Sequence, residues 1–401
     1  MVSFRRLATL LVAALLPLGN ASPLPETRAA SVVEGKYIIT LKDDISAAAL
    51  GGHMNWVRDV HENSLGRRQL SFAGVEKTFG VGNFNAYAGH FDADTLERIR
   101  NSPEVADVEQ QQLYYLSRLA TQKNSTYGLA TISHRRPGAT EYVYDESAGE
   151  GSTVYVLDSG IDIDHEEFQG RAGLGYNAVK HAPARDVDGH GTHVAGTVGS
   201  RTYGVAKRAK LVDVKLFHDG ASTTEVILDG TEWAIKDIIA KKIQNRAILN
   251  MSFGGGKSAV QNKLVKTAYD AGILCVIAAG NEATDAEDRS PASSPDGITV
   301  AAIDDEWKLW QYSNYGSGVH ILAPGVNVLS TYIGSKTATQ EDSGTSMAAP
   351  HVAGLAAYLA AAENINTVKE LKARILALGT NGTATSVKQG TVNLVAYNGN
   401  K

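Results

Sequence analysis

Val154-Tyr155-Val156-Leu157-Asp158-Ser159-Gly160 is an apolar run that stops at a carboxylate and turns at a glycine. The run Thr153 to Leu157 has no inside–outside alternation, so it suits a strand buried on both faces, as in a parallel sheet covered by helices. Runs of the same kind recur at Leu211 to Leu216, Ala247 to Met251, Ile273 to Ala278 and Ile298 to Ala302. Helical periodicity lies between and after them, at Thr224 to Lys242, Ser258 to Ala271 and Ser346 to Ala362. Strands alternating with helices over roughly 280 residues predict an α/β fold, a mostly parallel sheet with helices on both faces.

Upstream, the pattern changes. Residues 22–35 read as a loose lead-in, and 36–116 as a small α+β domain. Tyr37 to Leu41 is strand-like, Ile45 to Leu65 is helical with Trp56, Val57 and Val60 on one face, and Phe72 to Val81 and Phe84 to Phe91 flank a turn at Gly82-Asn83. Asp94-Thr95-Leu96-Glu97 resembles a capping box with an acidic cap, and Val105 to Glu109 closes the unit as a strand. The order β-α-β-β-α-β is ferredoxin-like. A polar connector, about Gln110 to Ser125, leads into the larger domain.

The N-terminus carries an address. Arg5 and Arg6 precede the apolar run Leu7 to Leu18, and Gly19-Asn20-Ala21 supplies small residues, so residues 1–21 read as a signal peptide. The run is about a dozen residues, short of the roughly 20 of a spanning helix. The reading is secretion to the exterior, with delivery to a vacuole left as the alternative, and no membrane partner. The chain has 401 residues and a formal net charge of −5, which excludes the clustered basic surface of a nucleic-acid binder. Its single cysteine, Cys275, cannot form an internal disulfide and sits in a run that reads as buried. Asn124-Ser125-Thr126 and Asn381-Gly382-Thr383 are glycosylation sequons in expected loops; Asn250-Met251-Ser252 also fits, but at a buried strand end.

Three segments suggest chemistry. Asp158 ends a strand. Asp188-Gly189-His190-Gly191-Thr192-His193 places a histidine between glycines that permit close backbone approach at the start of a small-residue helix. Ser343-Gly344-Thr345-Ser346-Met347-Ala348-Ala349-Pro350-His351 places Ser346 where a loop enters a helix, with Pro350 taken to fall in the first turn. A serine needs a base to become a nucleophile, and the base needs an orienter. Ser346 is read as nucleophile, His190 as general base and then acid, and Asp158 as orienter. The order Asp, His, Ser differs from that of chymotrypsin-type enzymes and of lipase-type hydrolases, and Ala348 breaks the Gly-x-Ser-x-Gly elbow of the latter. His190 and His193 lack the intervening acid of a zinc helix, and His193 reads as structural. In Ala278-Ala279-Gly280-Asn281-Glu282, Asn281 can donate to an oxyanion beside the Ser346 amide.

These segments resemble the three signatures of the subtilisin family of serine proteases, and most closely its proteinase K-like branch. The likeness covers about Ala120 to the C-terminus and extends to Tyr144 to Gly149 and Gly390 to Leu394; residues 36–116 resemble the family's inhibitory propeptide. The resemblance implies a monomeric serine endopeptidase made as a zymogen, with proteins and peptides as substrates and its own propeptide as intramolecular inhibitor. It implies substrate pairing with Phe253-Gly254-Gly255-Gly256 and Ala278-Ala279-Gly280, whose small residues favour large apolar side chains before the scissile bond. It places Arg289 near the pocket floor, where the alternative is a surface pairing with Glu287 or Asp288. It also sets the mature N-terminus at Ala120, so the domains run 1–21, 22–119 and 120–401. Self-cleavage after Leu119, with Leu116 three residues earlier, agrees with apolar pockets. No cofactor is required. The family's calcium is a further implication, but His320 and Thr383 stand where its carboxylates do, and a neutral imidazole suits a hard cation poorly. Asp304 and Asp305 are left as another place for an ion.

Overall fold

The N-terminal elements follow in the expected order: β1 (Val32–Leu41), α1 (Ala47–Leu65), β2 (Gly74–Val81), β3 (Phe84–His90), α2 (Ala93–Arg100) and β4 (Val105–Gln112). The computed structural model describes residues 32–65, 72–112 and 119–400; the signal-peptide reading lies outside them. The described residues divide into two compact units, one before residue 113 and one from residue 119 onward. In the first, the strands pair antiparallel in the order β2-β3-β1-β4. Ile39, Leu41, Val57, Tyr87, Phe91, Leu96, Ile99 and Val108 form its core, and Trp56 packs at its edge. The cap of α2 is Asp92 rather than Asp94. Asp92 accepts from the amides of Asp94 and Thr95 at 3.1 Å, because its extended backbone lets the carboxylate fold back over the first turn.

The second unit runs β5 (Leu119–Gln122), α3 (Tyr127–Ser133), β6 (Tyr142–Asp145), β7 (Thr153–Asp158), β8 (Ala172–Asn177), α4 (His190–Gly199), β9 (Lys210–Lys215), α5 (Thr224–Lys241), β10 (Ala247–Met251), β11 (Gly255–Gly256), α6 (Ala259–Asp270), β12 (Leu274–Ala278), β13 (Arg289–Ser290), β14 (Ile298–Ile303), β15 (Ile321–Pro324), β16 (Val328–Thr331), β17 (Thr339–Asp342), α7 (Thr345–Ala362), α8 (Val368–Leu378), β18 (Thr380–Asn381) and β19 (Leu394–Val395). Nine strands form one sheet in the order β18-β19-β15-β14-β12-β10-β7-β9-β8. Every neighbouring pair is parallel except β18 with β19.

The unbroken apolar runs have a direct explanation. Val154 and Val156 join the cluster formed with α4 and α7, while Tyr155 and Leu157 join the cluster formed with α5 and α6. Successive side chains on a strand point to opposite faces, so a strand covered on both sides has no polar positions to show. Helix α7 is buried on nearly its whole circumference, which its alanines and Gly354 permit: a Cβ at Gly354 would lie 2.8 Å from Val205 Cβ.

The strand order fixes the crevice. From β7 the chain goes first to the edge strand β8, returns through α4 to β9 between β8 and β7, and then passes through α5 to β10 on the other side of β7. The two directions of winding part between the carboxyl ends of β7 and β10, where open α/β sheets bind ligands. Asp158 is the last residue of β7, and Ser252-Phe253-Gly254 follows β10.

Candidate active site

Asp158 and His190 meet at this crevice. Asp158 is buried, and its Oδ1 lies 2.7 Å from His190 Nδ1 and accepts the Ser159 amide at 2.7 Å. A carboxylate at that distance from Nδ1 fixes the proton there and leaves Nε2 with a free lone pair. Burial pulls the His190 pKa down, but the charges of Asp158, Asp342 and Asp186 outweigh it and raise it to about 9. The flanking glycines act through space. A Cβ at Gly191 would lie 2.1 Å from the Gly160 carbonyl, and one at Gly189, where φ is +88°, 2.3 Å from the Tyr332 ring.

The start of α4 is held from below by Asp186. Its buried carboxylate accepts from Ser159 Oγ at 2.9 Å, from the amides of Asp188, Gly189 and Thr192 at 2.9–3.0 Å, and from Thr192 Oγ1 at 2.7 Å. The N-cap Gly189 has no side chain, so Asp186 and Ser159 Oγ, which accepts the Gly191 amide at 2.9 Å, satisfy the first-turn donors. Lys215 donates its ammonium to the Ser159 carbonyl. His193 is structural: buried, with Nε2 at 2.8 Å from the Val328 carbonyl, it ties α4 to β16.

Ser346 occupies the second residue of α7, whose N-cap is Gly344. Pro350 therefore lies beyond the first turn rather than within it. Lacking an N–H, it leaves the Ser346 carbonyl without its helical donor. Ser252 Oγ supplies the replacement at 2.8 Å, and Ser346 Oγ in turn donates to the Ser252 carbonyl at 3.0 Å. The proline thus couples Ser346 to the loop after β10. Among the described residues no hydrogen bond joins Ser346 Oγ to His190; the hydroxyl is turned toward Ser252.

Asn281 lies across the same helix terminus. Its Oδ1 accepts from the Thr345 amide at 2.8 Å and from Thr345 Oγ1 at 2.9 Å, while its Nδ2 has no hydrogen-bond partner among the described residues. The loop carrying it is clamped by buried Asn314, which donates to the Ala279 carbonyl at 2.9 Å and accepts the Glu282 and Thr284 amides. This clamp corrects one expectation. The Ala279 amide bonds Val300, the Gly280 amide bonds Thr345 Oγ1, and the Gly280 carbonyl accepts the Asn314 amide. With these groups committed inside the protein, Ala278-Ala279-Gly280 can wall a pocket but cannot pair with a substrate strand. Phe253 and Gly254 have no backbone hydrogen bonds among the described residues and remain free to pair, whereas Gly255 is already paired with Ser290.

A cleft of about 290 Å³ connects the Asp158–His190 pair with the loop after β10, lined by Asp158, Ser159, Asp188, His190, Phe217, Gly220, Ser252, Phe253 and Gly254. Phe217 and Phe253 stand with ring centroids 5.4 Å apart. Of the three residues Asp188, His218 and Asp219, which bring one polar atom each within 4.8 Å of one another, Asp188 lines the cleft; Asp219 is exposed. Arg289 pairs with neither Glu287 nor Asp288. Its Nη2 lies 2.6 Å from Glu282 Oε1, so its charge is neutralised beside Asn281.

Residues 149–393 match the model of the subtilase family, and residues 36–117 that of the peptidase inhibitor I9. The chain is 48% identical over 403 residues to alkaline protease 1 of Emericella nidulans, covering 100% of this chain and 99% of the relative. It is also 48% identical to the alkaline proteinase of Hapsidospora chrysogena, covering 100% of both. The chain belongs to the subtilase family. A crystal structure of a cold adapted subtilisin-like serine proteinase matches with a TM-score of 0.63 and 36% identity, over 69% of this chain and 99% of the other. The protein is a serine endopeptidase with an I9 inhibitor domain as its propeptide, made as a zymogen.

Sequence reasoning passed over several parts of this subtilase site: Asp186, Ser252, Phe217, Gly220, Thr345, Asn314 and Lys215. Asp186 lies in an Asp-x-Asp-Gly run that reads as an ordinary turn, and Asn314 is distant in sequence from the loop it clamps. For calcium, the expected positions fit poorly. His320 Nδ1 accepts the Thr299 amide at 3.0 Å, burial lowers its pKa to about 4, and Thr383 is exposed. Asp304 is engaged as a turn former, with Oδ1 accepting the Glu306 and Lys308 amides. Asn124 and Asn381 are exposed, Asn250 is buried, and burial raises the Cys275 thiol to about 12.

Proposed function

We propose that this subtilase cleaves peptide bonds through an acyl-enzyme on Ser346. The observation that carries the assignment is the 2.7 Å contact of buried Asp158 with His190 Nδ1, at a crevice to which Ser252 ties Ser346. In the reaction the Ser346 hydroxyl turns from the Ser252 carbonyl to His190 Nε2, gives up its proton and attacks the substrate carbonyl. Asp158 stabilises the imidazolium formed. Asn281 Nδ2 and the Ser346 amide hold the oxyanion, helped by the positive end of α7. His190 then protonates the leaving amine, and water repeats the sequence on the ester.

Specificity is broad, with large apolar side chains favoured by the Phe217, Phe253 and Gly254 walls and a basic side chain admitted beside Asp188. The enzyme acts as a secreted monomer. It processes its own precursor between Leu119 and Ala120. These residues lie in β5, paired with β6 with Leu119 opposite Asp145, so that ladder must open for cleavage. Incubating the precursor and sequencing the shortened product tests this. An Ala120 N-terminus, absent from Ser346→Ala, is expected; a mature Ser346→Ala product without added protease refutes self-processing.

A further inference from the structure

The place where the family resemblance implies calcium holds a cation of another kind. Lys372, on α8, donates its ammonium to the Pro295 carbonyl at 2.6 Å and to the Gly297 carbonyl at 2.8 Å. These two carbonyls, on either side of Asp296 in a turn before β14, converge on one point. Such convergence of backbone oxygens is how a turn holds a hard cation. His320 is the neighbour on the other side: its amide bonds the Thr299 carbonyl, and its Nδ1 accepts the Thr299 amide. It therefore brings no oxygen ligand and has that nitrogen already in use. The titratable groups facing the ammonium are His320, whose imidazole is neutral, and Asp296, and the Tyr269 ring lies 6.0 Å away.

We infer that the Lys372 ammonium takes the place of a calcium ion between the Pro295 and Gly297 carbonyls, so this subtilase carries a tethered cation there and takes up no metal at this position. Two features reinforce each other. The lysine satisfies the carbonyls that a metal would need, and an imidazole stands where a carboxylate would be required. A divalent ion entering would meet a fixed positive charge in a partly buried site, where like charges repel strongly. A hydrogen bond from a charged donor to a carbonyl is among the stronger kinds, and here two come from a side chain already attached to the fold.

The test uses the mature enzyme inactivated with a serine-directed sulfonyl inhibitor. Calcium stoichiometry is measured by equilibrium dialysis and thermal unfolding by scanning fluorimetry, for the natural protein, Lys372→Met, Lys372→Arg and the double variant His320→Asp/Lys372→Met. Lys372→Met is expected to lower Tm by about 2–6 °C equally in EDTA and in calcium. Lys372→Arg, which keeps the charge, should lose less. The double variant should bind one more calcium than the natural protein and regain Tm only when calcium is present. The inference is overturned if the natural protein binds as many calcium ions as the double variant, or if Lys372→Met leaves Tm unchanged.

Discussion

Replacing Asn281 by aspartate and by alanine separates its two tasks. The side chain has one end in the fold and one end free: Oδ1 accepts two hydrogen bonds from Thr345, while Nδ2 has no partner among the described residues. Asn281→Asp would keep the acceptor at Thr345 and replace the free donor by an oxygen. The new charge at the N-terminus of α7 is worth about 0.3–1 kcal/mol in favour of the helix. The stability of this variant should therefore equal or slightly exceed that of the natural protein. Catalysis should fall, since losing one oxyanion donor costs about 2.7–4 kcal/mol, or roughly 10²–10³ in kcat. That figure is known from a subtilisin and carried over to this relative. A carboxylate facing the oxyanion adds repulsion, so Asn281→Asp should lie at or beyond the upper end. Asn281→Ala should lose a similar factor in kcat and also about 0.5–2 kcal/mol, because the Thr345 amide loses its cap. The assay is kcat and KM on a chromogenic peptide, with enzyme counted by active-site titration, beside thermal unfolding of the inhibitor-blocked protein. KM should change little, since the oxyanion exists only past the ground state. A kcat for Asn281→Asp within about tenfold of the natural enzyme, or a drop in its stability matching that of Asn281→Ala, would refute the reasoning.

Other outcomes follow from the same geometry. The pKa of His190 is raised to about 9 by neighbouring carboxylates, and only the neutral ring accepts a proton. So kcat/KM should climb with pH up to that region, and Asp342→Asn should move the climb to lower pH; an unmoved profile counts against the assignment. The same shift means that ionised His190 adds stability fully present below about pH 6.5 and lost as pH rises through about 9. Asp186→Ala strands five donors at the start of α4 and should cost about 3–5 kcal/mol, seen as a much shorter half-life on heating. Ser252→Ala should cost about 1–2 kcal/mol in the natural protein and less in Pro350→Ala, where position 350 regains an N–H for the Ser346 carbonyl. Additive costs in that double-mutant cycle would show that the proline and the serine are not coupled.

Much of this architecture was legible because burial on two faces leaves a plain mark. Val154 to Leu157 shows apolar residues at every position, and the structure divides them between two helix layers. The elements that sequence reading missed lack that mark. Strand β8 is glycine-rich and at the edge of the sheet, and β5 hides in a polar connector because its partner β6 lies about 20 residues away. The site residues that share a local segment with a glycine turn, Asp158, His190, Asn281 and Ser346, stood out. Those that work through tertiary contact did not: Asn314 acts on a loop more than 30 residues earlier, and Ser252 answers a proline nearly 100 residues later. Pro350 does not belong to the first turn under either reading: whether the helix starts at Thr345 or at Ser346, the proline stands four residues after Ser346, where its missing N–H leaves that carbonyl unpaired. Lys372 stood unremarked on an ordinary amphipathic helix, because the carbonyls it fills belong to a turn far away in sequence.

The most direct test of the account is to treat the mature enzyme with a phosphonyl fluoride and map the adduct by peptide mass spectrometry, in parallel with His190→Ala. One adduct is expected, on Ser346, appearing in step with loss of activity, with greatly slowed labelling in His190→Ala. Activity lost with Ser346 unmodified, or labelling that is as fast without the imidazole, would contradict it.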